Sequence, residues 1–131
     1  MTNHLMILKH KLKSLYCRLC KKQKIWDYDR VWKDILFDAK ISAKDCYLCG
    51  FVDYDDTPRR GKKGLIIKGG NPQKFEKYMN QLVRISKKQN KEYVFLMAWN
   101  EWGEGSYLEP DTEFKFEYLE AIKRITELYQ E

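Results

Sequence analysis

The reading turns on Tyr93-Val94-Phe95-Leu96-Met97-Ala98-Trp99, followed at once by Asn100-Glu101-Trp102-Gly103-Glu104-Gly105. The first seven residues are almost wholly apolar and do not alternate, the pattern of a parallel strand buried on both faces. The polar, glycine-bearing stretch behind them reads as a loop leaving the strand's carboxyl end and running from Asn100 to Asp111. Parallel α/β proteins build their active sites on that face. Glu101 and Glu104 therefore stand where chemistry is expected. Gly103 and Gly105 permit sharp turns beside them, and Trp99 and Trp102 offer apolar walls. Sugar transfer needs such a pair, one carboxylic acid to protonate a departing oxygen and one carboxylate to assist attack. The bland alternative is two solvated loop acids, a common arrangement on any surface.

Outward from that strand, the pattern is helical on both sides. Asn71-Pro72 is a helix start, because proline at the first helical position loses no hydrogen bond. Phe75, Tyr78, Met79, Leu82, Val83 and Ile85 give that helix an apolar face to about Gln89. A last helix is expected from Thr112 to Tyr129, burying Phe114, Tyr118, Ile122, Ile125 and Leu128. Cys46 to Asp53 is a short apolar run closed by turn residues, a second buried strand. The loop Asp55–Gly70 follows it, with Leu65–Lys68 as a short extra strand. A helix over 28–38 has Asp27 as N-cap and turns Val31, Trp32, Ile35 and Leu36 inward. Residues 4–22 form an amphipathic helix striped by Leu5, Leu8, Leu12, Leu15 and Leu19. The expected order is α–α–β–α–β–α, whose two principal strands make a parallel βαβ unit.

Length and charge narrow the class. A closed eight-stranded α/β barrel takes about 250 residues, so 131 residues hold only part of one. Seven of the 25 basic residues lie in 1–24, which has no acid, leaving 18 against 19 acids. The basicity is thus a local arm, and a nucleic-acid surface is not indicated. No apolar run is long enough to span a bilayer, and Lys9–Lys13 interrupt the only candidate leader core. The expectation is a cytoplasmic protein whose four cysteines are reduced thiols.

The string Ala98-Trp99-Asn100-Glu101-Trp102-Gly103-Glu104-Gly105, continued by Leu108-Glu109-Pro110-Asp111, resembles the hallmark of the WbsX-type glycosyltransferase family. The barrel of that family is similar to glycoside hydrolase family 99. Phe51–Gly61 matches a second family segment, usually Trp-Asp-Asn-Thr-Pro-Arg, with Tyr54 in place of the Trp and Asp56 in place of the Asn. Trp26-Asp27-Tyr28-Asp29, Val31-Trp32 and the helix from Asn71 to Gln89 also fit. The resemblance covers residues 24–127 and the last third of a full family member. It implies an α/β fold, the C-terminal portion of a (β/α)8 TIM-like barrel, incomplete, with 1–23 as an outer-layer basic helix and 24–131 as the end of the catalytic barrel. It implies that Glu101 deprotonates a sugar 2-hydroxyl, giving a 1,2-anhydro intermediate, while Glu104 is general acid and then base at the leaving oxygen. The implied substrate is an oligosaccharide or lipid-linked glycan of bacterial surface polysaccharide, with no cofactor. The missing amino-terminal part of the barrel is the expected partner, without which the chain is expected to be inactive.

Around the pair, Asn100, Trp99, Trp102 and Asp55 are expected to shape the sugar site, and Arg59, with Arg60 beside it, to clamp a carboxylate or phosphate. The competing reading of the arginines is a surface salt bridge. Cys17-x-x-Cys20 and Cys46-x-x-Cys49 raise a different class of function, a non-catalytic zinc-binding module. Against it, their 25-residue gap exceeds the usual ribbon spacing. The third alternative is an inactive truncated product. His4 and His10 are isolated, and the Leu-striped helix is a candidate for contact with an anionic membrane surface.

Overall fold

The computed structural model describes residues 11–12, 15–16 and 23–129. Of the expected helix over 4–22, only those first four residues are described; they are helical, with Leu12 and Leu15 exposed. His4, His10, Cys17 and Cys20 lie outside the described residues.

Strand β1 (Lys24–Asp27) leads directly into helix α1 (Tyr28–Lys40). As expected, Asp27 caps that helix, its carboxylate accepting the Arg30 N–H at 2.9 Å. Then come β2 (Leu48–Phe51), β3 (Tyr54–Asp55), the one-turn helix α2 (Thr57–Arg60) and β4 (Leu65–Lys68). Helix α3 (Pro72–Lys88) follows, with Asn71 accepting the Lys74 N–H at 2.8 Å. The chain continues as β5 (Val94–Met97), the short strands β6 (Asn100–Glu101) and β7 (Ser106–Tyr107), and helix α4 (Glu117–Glu127).

The expected parallel βαβ pairing is present: β2 pairs with β5 from Leu48↔Val94 to Phe51↔Met97. A second small sheet was not expected in full. In it β4 pairs in parallel with β1 and antiparallel with β3, so Leu65–Lys68 is a central strand. Strand β1 was missed because Lys24-Ile25-Trp26-Asp27 is too short to display a period.

Helices α1, α3 and α4 cover one side of the β2–β5 sheet. Trp32 is fully buried, stacked between Phe51 at 5.3 Å and Tyr78 at 5.7 Å. Tyr28 donates its hydroxyl to the Val52 carbonyl at 2.9 Å, tying α1 to the end of β2. Phe75, Met79, Leu82, Tyr118, Ala121 and Ile125 complete the core. Gly50 is obligatory here, since a Cβ would lie 2.8 Å from the Trp32 ring.

Three expectations are corrected. The strand at 94–97 is not buried on both faces: Phe95 is 56% exposed, with its ring edge-on to Tyr47. Period-two geometry sends Val94 and Leu96 toward the helices and Phe95 the other way, and the described residues cover only the helix side. The last helix starts at Glu117, not Thr112. Asp111 accepts the Glu113 and Phe114 N–H groups at 2.9 and 2.5 Å, and Lys115 has φ of 52°, which together impose a turn. Leu128, expected inward, is 65% exposed.

Candidate active site

The loop after β5 is more ordered than a polar linker. Asn100 pairs with Tyr107 and Glu101 with Ser106, making a miniature hairpin. Ser106, fully buried, donates its hydroxyl to the Met97 carbonyl at 3.1 Å. The same carbonyl accepts the Val52 N–H at 3.0 Å, so hairpin, β5 and β2 are fastened at one atom. The Trp99 carbonyl takes two more N–H groups, from Leu108 and Glu109, at 3.0 and 3.1 Å.

Between the hairpin strands, Trp102–Glu104 forms a single 3₁₀ turn closed by Gly105 at φ of 59°. Gly105 is needed there twice over. Its backbone is left-handed, and a Cβ would sit 3.3 Å from the Asp55 nitrogen. Gly103, also expected to serve the turn, has open space around it and no positive φ. Glu101 is exposed, whereas the Glu104 side chain is 20% exposed. Trp99 and Trp102 remain 54% and 49% exposed. Trp102 lies flat on Tyr107 at 3.8 Å and donates its indole N–H to Glu109 at 2.6 Å.

The second segment arrives from the carboxyl end of β2. Arg59 forms an ion pair with Glu104 across 45 positions of sequence. Asp55 lies against Gly105, and its Oδ1 accepts the Thr57 N–H at 2.9 Å and hydroxyl at 2.5 Å. Asp55, Arg59 and the acidic loop are thus brought together, as the sequence led us to expect. Arg60 is not part of this group: it pairs with buried Asp56 at 3.2 Å. Asp56 was missed as a structural residue. Its carboxylate accepts the Leu65 N–H at 2.6 Å and so holds the arginine-bearing loop onto β4.

A cleft of about 610 Å³ opens beside Gly105, behind the carboxyl ends of β2 and β4. Asp53, Tyr107, Asp111 and Tyr118 line it; the sequence put Tyr118 on the apolar face of the last helix and Asp111 in the motif string, but gave none of the four a part in the site. Burial pushes the Asp53 carboxyl above the usual carboxylate range, with the charges of Asp55 and Glu113 adding to it. Burial and the Asp111 carboxylate push the Tyr107 hydroxyl up to about 12, so it stays a donor. The available signal was that Asp53 closes the apolar run of β2 and Asp111 closes the motif string.

Cys46 and Cys49 are exposed free thiols. Among the described residues no group of three or more His, Cys, Asp or Glu is placed to hold a metal, and no helix is long and apolar enough to cross a membrane.

Comparison with known proteins agrees with the motif. The family described as Glycosyltransferase WbsX matches residues 1–122. An uncharacterized protein WxcX of Xanthomonas campestris pv. campestris strain B100 is 32% identical over 102 residues, covering 68% of this chain and 15% of that protein. WxcX of strain ATCC 33913 is 32% identical over 74 residues, covering 54% of this chain and 11% of that protein. The chain therefore spans a small fraction of the length of these curated relatives. No solved structure matches.

Proposed function

The chain belongs to the WbsX glycosyltransferase family, and from that premise we propose that it supplies the acid/base edge of a sugar-processing α/β barrel. In this reading residues 24–131 are the carboxyl-terminal part of the barrel and 1–23 its outer helix. The substrate is an oligosaccharide or lipid-linked glycan of a bacterial surface polysaccharide. Glu101 takes the proton of a sugar 2-hydroxyl as that oxygen closes on the anomeric carbon. Glu104 gives a proton to the departing oxygen and takes one back from the incoming acceptor.

The observation that carries the reading is the meeting of two distant segments: Arg59 pairs with Glu104, and Asp55 packs against Gly105. Glu101, at the end of β6, and Glu104, in the 3₁₀ turn that follows, stand at the two ends of one short loop. The half-exposed indoles of Trp99 and Trp102 offer flat faces to a sugar ring. An arriving glycan displaces Arg59 from Glu104, leaving the acid in contact with the bond to be broken.

The open face around Phe95 supports a role for further polypeptide in completing the cleft. The chain is assayed for release or transfer of mannosyl groups, alone and mixed with the amino-terminal part of a WbsX-family barrel. Turnover is expected only in the mixture, and Glu104→Gln should lower it about 10²- to 10⁴-fold. Turnover that is indifferent to Glu104→Gln would overturn the assignment.

A further inference from the structure

Of the site residues assigned above, Asp55 alone lends a side chain to the cleft beside Gly105. Four carboxylates and one lysine contribute to its walls: Asp53, Asp55, Asp111 and Glu113 against Lys68. That charge disfavours phosphate, nucleotide and uronate ligands. Most of the acidic oxygens with defined partners are already committed. Asp111 accepts two backbone N–H groups on one oxygen and the Tyr107 hydroxyl, at 3.1 Å, on the other. Asp55 accepts from Thr57.

Two groups are left over. Asp53 receives the Tyr54 N–H at 2.8 Å on Oδ1, while Oδ2 faces Gly70, where a Cβ would come within 3.1 Å of it. Tyr118 is 7% exposed, and its hydroxyl is covered yet has no hydrogen-bond partner among the described residues. Tyr118 lines the cleft together with Asp53, Tyr107, Asp111 and Glu113. A buried hydroxyl without a partner is costly, and proteins seldom retain one.

An acceptor and an idle hydroxyl in one cleft match a ligand group that both donates and accepts. An alcohol does this, whereas an ammonium only donates and a carboxylate only accepts. Gly70 keeps the approach to Asp53 open, since any side chain there would also press on the Tyr28 ring at 3.0 Å. The volume lies in the range of small-molecule sites.

We propose that this cleft is a subsite for an uncharged sugar ring, with Asp53 and Tyr118 gripping its hydroxyls next to the Glu101/Glu104 loop. The proposal rests on the sugar-processing reading for the chemistry next door and deepens it by naming a second point of substrate contact. Asp53 and Tyr118 are binding residues here, and neither takes part in bond breaking.

The 131-residue chain is titrated with methyl glycosides of mannose, glucose and galactose, with glucosamine and glucuronate as charged comparators, and amide resonances are followed. At least one neutral glycoside should shift the amides of Tyr54, Gly70, Gly105 and Phe114. Asp53→Asn should weaken that binding about 10-fold and Tyr118→Phe about 3- to 10-fold, as expected for one charged and one neutral hydrogen bond. Tyr118→Phe removes a hydroxyl that bonds nothing among the described residues, so a folding defect does not confuse the result.

Binding that survives both substitutions but is lost with Trp102→Ala overturns the subsite and leaves the Glu101/Glu104 reading in place. Cleft binding that follows Asp53 and Tyr118, in a protein whose turnover ignores Glu104→Gln, does the reverse. Tighter binding of glucosamine or glucuronate than of every neutral glycoside, or no saccharide binding at all, also overturns the subsite.

Discussion

Asp56 decides whether the arginine-bearing loop stays folded over the sheet, and its replacement gives a quantitative test. The side chain is 2% exposed and accepts the Leu65 N–H at 2.6 Å. It also faces Arg60 at 3.2 Å, but that guanidinium is 60% exposed, so the ion pair contributes little, about 0–1 kcal/mol. Asp56→Ala strands the Leu65 N–H and removes a charged acceptor, a loss of about 1.5–3 kcal/mol. Asp56→Asn keeps a carbonyl oxygen for Leu65 and forfeits the exposed pair and the long hydrogen bond from the Tyr54 hydroxyl at 3.4 Å, so it should cost about 1 kcal/mol. The family segment that this loop resembles carries Asn at the same place. Urea unfolding separates the two. With a slope of about 2 kcal/mol per molar, the midpoint should fall by roughly 1 M for Ala and by about 0.5 M for Asn. Arg60→Ala, which removes the exposed pair alone, should cost no more than the Asn variant. Equal losses for Asn and Ala would mean that charge, not an acceptor for Leu65, holds the loop. An Ala variant within experimental error of the parent would refute the reasoning altogether.

Gly50→Ala should destabilise by about 1–3 kcal/mol, because Trp32 is clamped between two rings and cannot yield to a Cβ 2.8 Å away; thermal melting reads this directly. The pH dependence should divide between two aspartates. Burial raises the Asp53 carboxyl, so the folded state holds its proton to higher pH than the unfolded chain, and stability falls as pH rises from about 3.9 through that raised value. Asp53→Asn should therefore raise the melting temperature at pH 7 and change little at pH 3. Hydrogen bonds from Lys74 at 2.6 Å and Tyr78 at 2.7 Å hold the Asp29 carboxyl below its usual range. Its contribution is present above about pH 3.9 and is lost as pH falls through the lowered value, so Asp29→Asn should cost most near pH 7 and least below pH 3.

Local chemistry was legible wherever a short stretch carries its own signal. The caps Asp27 and Asn71 and the faces of α1 and α3 follow from hydrogen-bonding capacity and a 3.6-residue period, and all are found. The parallel pairing of β2 with β5 follows from the helix between them. The motif around Glu101 and Glu104 placed the chain in its family, since so specific a string needs no fold to be read.

Burial on both faces of β5 was read from its apolar run, but an apolar side chain is buried only if something lies over it, and Phe95 has no such cover among the described residues. The Arg59–Glu104 pair, the packing of Asp55 on Gly105 and the cleft joining Asp53 to Tyr118 are made by residues tens of positions apart. No local pattern encodes such meetings. They arise when the core sets β2 beside β5, and only that juxtaposition selects which polar groups find a partner and which, like the Tyr118 hydroxyl, are left waiting for one.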